Sequence, residues 1–295
     1  NVSLPLNGTL ITGSQSLFGL KTQLQFGRTT ITGVLSQQKS TKSEIEVSGG
    51  AQQSEFDIYA DQYEANKHYF LAHYFKEQYD AALAMLPFIN SGINITKIEV
   101  WVTNKIGTTN ETRNIVSFLD LGETDGNIYN TAFSSSNGGN FPDNSAANNM
   151  FESIKSSFPS ELSITDINNT SLFPLLNGTD FEKLERARKL SESEFSYNSQ
   201  LGYISLNQAL NNDEVLAVAF QYTIGSETYQ VGELSTTGPT APEALILKLL
   251  KGTNFTPSLP NWDLMMKNIY AIGAYQMSRD GFILDVVYEN TEVPN

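Results

Sequence analysis

ITKIEVWVTNKIGTTNETRNIVSFLDLGE, residues Ile95 to Glu123, holds two strands joined by a polar turn. In the first, Ile98, Val100 and Val102 share one face while Lys97, Glu99, Trp101 and Thr103 share the other, the two-residue period of a half-buried strand. In the second, Ile115, Val116, Phe118 and Leu119 form a short apolar run that stops at Asp120-Leu121-Gly122-Glu123. Gly107 to Asn110 is small and polar, as a connecting loop should be. The two strands read as the central pair of a sheet, and no catalytic motif lies in them.

Toward the N-terminus the period changes. Asn66 to Leu86, NKHYFLAHYFKEQYDAALAML, places Tyr69, Phe70, His73, Tyr74, Glu77 and Ala81 at helical spacings. Pro87 is a natural stop, because the residue before a proline resists helical backbone. The aromatic stripe of Tyr69, Phe70, Tyr74 and Phe75 reads as core packing, and Glu55 to Tyr59 reads as a strand. Residues 1–50 stand apart. Leu20 to Gln38 alternates in two segments around Gly27-Arg28, a β-hairpin whose strands approach the roughly 9 to 11 residues of a tilted membrane-spanning strand. A polar connector with a short strand at Glu44 to Val47 follows.

Beyond Glu123, residues 124–200 read as an insertion. Thr124 to Ser145 is dense in Gly, Asn and Ser and predicts an exposed loop. Ala146 to Phe158 predicts a short helix. Phe181 to Leu190, FEKLERARKL, predicts another, capped by Asp180 and supported by Glu182–Arg186 and Glu185–Lys189 at i, i+4. Strands return over Gly202 to Leu210, Glu214 to Ile224 and Glu227 to Ser235, with Val215 to Phe220 apolar enough to be buried on both faces. Ala244 to Lys251 fits strand or helix equally. Trp262 to Met266 packs a short turn onto the sheet, and Asn268 to Ala274 and Phe282 to Tyr288 read as two strands around Ser278-Arg279-Asp280-Gly281. The sum is a mainly β fold. Residues 1–50 form a β-hairpin and connector, and residues 51–295 form a two-sheet, β-sandwich-like domain with one helix at about 66–86 and a helical and loop insertion at 124–200.

Composition narrows the function. Charged residues make up 17% of the chain and apolar residues 40%, which suits a packed domain rather than disorder. The net charge of −14 argues against nucleic acid, which needs clustered Lys and Arg. The absence of cysteine excludes disulfides, thiolate metal sites and a cysteine nucleophile. Asn1-Val2-Ser3-Leu4-Pro5 lacks the basic start of a signal peptide, so the chain reads as cytoplasmic or as a piece of something longer.

No residue earns a catalytic, cofactor-binding or metal-ligating role. The two histidines, His68 and His73, are five apart on the expected helix and point to different faces, whereas a zinc pair needs i, i+4 and a third ligand. Neither a nucleophile elbow nor a phosphate-binding glycine loop occurs. Asp120, Glu123 and Asp125 offer oxygen ligands for calcium, but Thr131 stands where a calcium loop places its bidentate Glu. A glycosidase would need two carboxylates about 5 to 10 Å apart across a cleft, and the pattern selects no pair.

Over nearly its whole length the chain resembles the SprA/Sov family. The resemblance rests on FDIYADQYEANKHYFLAHYFKEQYDAALAMLPFINSGINITKIEVWVTN, RNIVSFLDLGE, LGYISLNQALNNDEVLAVAFQYT, YQVGELS and LPNWDLMMKNIYAIGAY, in that order. It is weakest over Thr124 to Ser196. The family comprises giant outer-membrane proteins of the Bacteroidetes type IX secretion system, also tied to gliding motility. The resemblance implies a fragment of a β-barrel translocon that exports folded cargo. Leu20 to Gln38 would then be barrel strands of the parent, and residues 51–295 a domain capping or lining its pore. It implies an outer-membrane location, on the cell-surface side rather than the periplasmic one, with other translocon subunits and secreted cargo as partners and no enzymatic activity. Trp101 and Trp262 match family motifs and read as packing. The alternative is a carbohydrate-binding or adhesion module at the cell surface, suggested by the two-sheet pattern and amide-rich loops.

Overall fold

The computed structural model describes residues 18–37, 56–109, 111–124, 126–135, 144–157, 175–273 and 282–288. The chain divides into two units, Asn1–Glu55 and Phe56–Asn295. The first holds β1 (Phe18–Phe26) and β2 (Thr29–Gln37), an antiparallel hairpin turning at Gly27-Arg28. The expected strand at Glu44 to Val47 lies outside the described residues.

The second unit contains, in chain order, β3 (His68–Phe70), α1 (His73–Leu83), β4 (Ile93–Val102), β5 (Thr112–Phe118), α2 (Met150–Ser157), β6 (Phe181–Lys189), β7 (Phe195–Asn198), β8 (Tyr203–Leu206), β9 (Leu216–Ile224), β10 (Glu227–Val231) and β11 (Leu245–Lys251). A 3₁₀ turn follows at Pro260–Leu264. The protein is mainly β, with two sheets in this unit, as its alternating sequence indicates. The smaller sheet is β3-β8-β7. The larger runs β10-β9-β11-β5-β6-β4, and β4 pairs again with β9, so the five strands β4, β9, β11, β5 and β6 close into a ring. One edge of β9 carries β4 along its length, while the other is shared by β11 and β10. The closing contact between β4 and β6 is short, two residue pairs at Trp101 and Val102, and β10 remains an edge strand beside β9.

The two faces of the ring follow from α1. Phe75 of that helix contacts the rings of Phe220 and Tyr222, 5.7 and 5.0 Å away, so the even-numbered residues of β9 face outward. By alternation Ala217 and Ala219 face inward. They belong to one cluster with Trp101, Ile115, Ala187, Leu245 and Leu247, which draws on all five ring strands, and Leu234 joins it. Trp101 is 1% exposed and fills the narrow bore, and the alanines around it leave room for the indole. Outside, the even face of β9 joins α1, α2 and the smaller sheet in one continuous core. Gly202 is fixed by this packing: its φ is +64°, and a Cβ there would lie 2.3 Å from the Phe75 ring.

Several elements differ from the sequence reading. The helix expected over 66–86 is shorter, because residues 68–70 pair with β8 as a strand and α1 begins only at His73. FEKLERARKL is strand β6, not a helix: it pairs with β5 over most of its length and with β4 at Trp101↔Lys189 and Val102↔Arg188, so ring closure overrides its helical charge spacing. It also separates β4 from β5, which are not direct partners as expected. Residues 268–273 and 282–288 form no strand, and the turn expected at 278–281 lies outside the described residues. Neither do residues 56–59 form a strand. Ala244 to Lys251, ambiguous by period, is β11, parallel to β5 and antiparallel to β9.

Candidate functional site

An open groove of about 430 Å³ lies where β11 ends and the 3₁₀ turn begins. Tyr63, Ala65, Asn66, Asn212, Lys251, Thr253, Asn254, Phe255, Thr256, Trp262 and Met265 line it. The volume falls within the range of small-molecule sites. Phe255 and Trp262 pack 5.0 Å apart at 48°, a single aromatic corner, and Phe255 leans on the buried Tyr69 at 6.4 Å. Pro260 opens the 3₁₀ turn and helps to fix the backbone that presents Trp262. The Lys267 ammonium sits 5.3 Å from the indole centroid and donates to the Trp262 and Met265 carbonyls, which holds the ring in place. Asn66, at φ +58°, is pinned through its own backbone: its N–H donates to Met265 Sδ and its carbonyl accepts from Leu210.

Lys251 is the only charged lining residue. Its Nζ donates to the carbonyls of Asn212 at 2.9 Å, Glu214 at 2.7 Å and Gly252 at 3.4 Å, so its donors are occupied by backbone. Burial pushes its pKa down, opposed by the charges of Glu214 and Asp213. Lys267 is also lowered, again by burial first and against the pull of Asp263.

A second polar constellation lies under the outer wall of the ring. Lys248, fully buried on β11, donates to Glu123 Oε1 at 2.5 Å and to the Leu119 carbonyl at 2.5 Å. His73 Nδ1 lies 2.8 Å from the same Glu123 oxygen, off the line of a good hydrogen bond. Its Nε2, 3.0 Å from the Pro260 carbonyl, carries a hydrogen, since a carbonyl can only accept. Burial alone would raise the Glu123 pKa, but the Lys248 ammonium and the His73 imidazole beside it outweigh burial and hold the carboxyl below its ordinary range. Asp120 shows the opposite balance. Burial raises its pKa, although the N–H groups of Tyr129 and Asn130 donate to its two oxygens at 2.9 and 2.8 Å. Asn148 Nδ2 ties the loop together through the carbonyls of Asp120 and Glu123.

These contacts show where the sequence candidates lie. Asp120 and Glu123 have their charges answered by amides and by Lys248, and among the described residues no group of His, Asp and Glu is placed to hold a metal ion. Asp125 lies outside the described residues. His68 bonds Ser205 and Glu64 while His73 meets Glu123, so the two serve different contacts. Trp101 is core, as expected, whereas Trp262 is half-buried and lines the groove as well as packing its turn. The groove was not read from the sequence, because Tyr63, Asn212 and Trp262 lie far apart along the chain and only the fold assembles them. Lys248, with apolar residues on both sides in ALILKLLK, is the sequence signal for the buried cluster.

No helix among the described residues is long and apolar enough to cross a membrane. A family model described as SprA_N, motility related/secretion protein, matches residues 1–223. No curated protein matches the chain.

Proposed function

The chain belongs to this family of motility-related and secretion proteins, and we propose from that membership that it is a structural domain of an outer-membrane channel for folded proteins, of the kind used in type IX secretion and gliding motility. The match over residues 1–223 is the observation that carries the proposal. In this reading the second unit caps or lines the pore. It acts by occupying space, without bond chemistry, on the cell-surface side, and its partners are other channel subunits and passing cargo. The hairpin β1–β2 contributes to the parent barrel.

A pore wide enough for folded cargo needs an obstacle that does not itself collapse. A closed ring of five strands with a filled bore supplies that stiffness. The test is site-specific photocrosslinking in the parent cell, with a photoreactive residue at Thr109 or Ser226, both in loops. Adducts to secreted cargo or to other channel subunits are expected. Adducts to surface polysaccharide alone, or none from either position, would refute a place at the pore.

A further inference from the structure

We propose that the groove beside the 3₁₀ turn binds an uncharged glycan. The proposal rests on the lining residues and stands independently of the secretion reading.

The aromatic corner of Phe255 and Trp262, with Tyr63 beside it, lines the groove, with Lys251 Nζ 5.7 Å from the Phe255 centroid and Lys267 Nζ 5.3 Å from that of Trp262, so a ligand packs on the ring surface these ammoniums leave uncovered. A sugar ring presents a face of C–H groups that packs on such a surface, while its hydroxyls point outward around the rim. The rim is made to meet them. Among the described residues the Asn212 side chain makes no hydrogen bond, and that of Asn254 reaches only Thr179 Oγ1 at 3.4 Å. Asn66 spends its oxygen on a long contact of 3.4 Å from Tyr69 and keeps its Nδ2 free. Each amide carries two N–H donors beside a carbonyl acceptor, so one side chain can serve a hydroxyl in either sense.

Other ligand classes fit less well. An anion would look to Lys251, but that ammonium's three donors are taken by carbonyls. A cation finds no carboxylate among the lining residues. An extended peptide adding to a sheet needs an open strand edge of useful length, and at the groove β11 is paired with β9 while its pairing with β5 ends at Lys248, which leaves at most Leu249 to Lys251 without a strand on that side. A proline-rich peptide needs successive aromatic ridges, whereas Phe255 and Trp262 make one corner. What remains is a neutral, polyhydroxylated ligand with an apolar face.

The chain's two tryptophans give the test its internal control: Trp262 lines the groove and Trp101 is sealed in the ring. In protein labelled with 5-fluorotryptophan, titration with cello-, malto-, chito-, manno- and galacto-oligosaccharides is followed by ¹⁹F NMR. At least one series is expected to move the Trp262 signal saturably and leave the Trp101 signal in place. Asn212→Ala and Asn254→Ala, both at exposed positions, are each expected to weaken that binding about tenfold with the Trp101 signal unchanged. The proposal is overturned if no neutral oligosaccharide moves the Trp262 signal, or if only a heparin fragment or a proline-rich decapeptide does.

Discussion

Inside the ring one indole is packed among alanines; outside it, under α1, a lysine, a glutamate and a histidine are sealed together. Both faces belong to the same strands, yet they use polar groups differently. The inner face also has an ion pair, Glu99 with Lys189 at 2.9 Å, but Ser235 supplies two further hydrogen bonds to the carboxylate and Lys189 remains 25% exposed. The outer pair of Lys248 and Glu123 is essentially dry, at 0% and 1%. A charge beside solvent can lose its partner and rehydrate, while a dry one cannot. Shape therefore dominates inside the ring, and charge pairing dominates against its outer wall.

The largest expected effect tests the outer face. Glu123→Gln leaves the buried Lys248 ammonium without its counter-charge and should cost about 3–5 kcal/mol in chemical denaturation. Glu123→Leu combined with Lys248→Met, which removes both members of the ion pair, should recover much of that loss. If the single change proves nearly neutral, the contrast between the faces fails. Inside the ring, Ala217→Leu adds volume beside Trp101, its register partner across β4 and β9, and should cost about 1–3 kcal/mol by overpacking.

Acid should separate the faces more gently. The folded-state pKa of both Glu123 and Glu99 lies below the ordinary 4.5. For Glu99 burial acts to raise it, and the Ser235 amide and Lys189 prevail. A depressed carboxylate stabilises the fold above its unfolded pKa, and that stability is lost as the pH falls toward the folded value. Denaturation midpoints should thus drop below about pH 4.5, with Glu123→Gln flattening the slope more than Glu99→Gln. Asp120 has a raised pKa and contributes with the opposite sign, so it blunts the acid loss. The smallest effect is expected at the surface pair of Lys105 and Asp213, where Lys105→Ala should leave the midpoint unchanged within error.

What could be read from the sequence follows the same division. β4 and β9 were visible because their side chains alternate or run apolar, signals that survive without knowing the partner strand. β6 was misread for a physical reason. Glu182, Glu185, Arg186 and Lys189 sit at spacings that suit a helix, but Arg186 takes a φ of +52° at a bulge and accepts its place in the ring through the Asn114 side chain. His68 to Phe70 carried a helical aromatic stripe and became an edge of the small sheet for want of any local signal of β8. Glu123 drew notice as an acidic loop residue suited to calcium, since its true partner, Lys248, is 125 residues away.

The order in which the ring is woven has a consequence for how such a domain comes into being. β11, the last ring strand to leave the ribosome, slots between β9, made shortly before it, and β5, made long before. With residues up to 244 available, four strands exist and the gap between two of them stays open, so no partial chain can seal its bore around Trp101. Such long-range pairing is slow relative to local structure. During directional delivery the segment would therefore remain pliable until Lys251 arrives and would become rigid only in a single late step. A ring woven in this order takes on its stiffness only with its final strand.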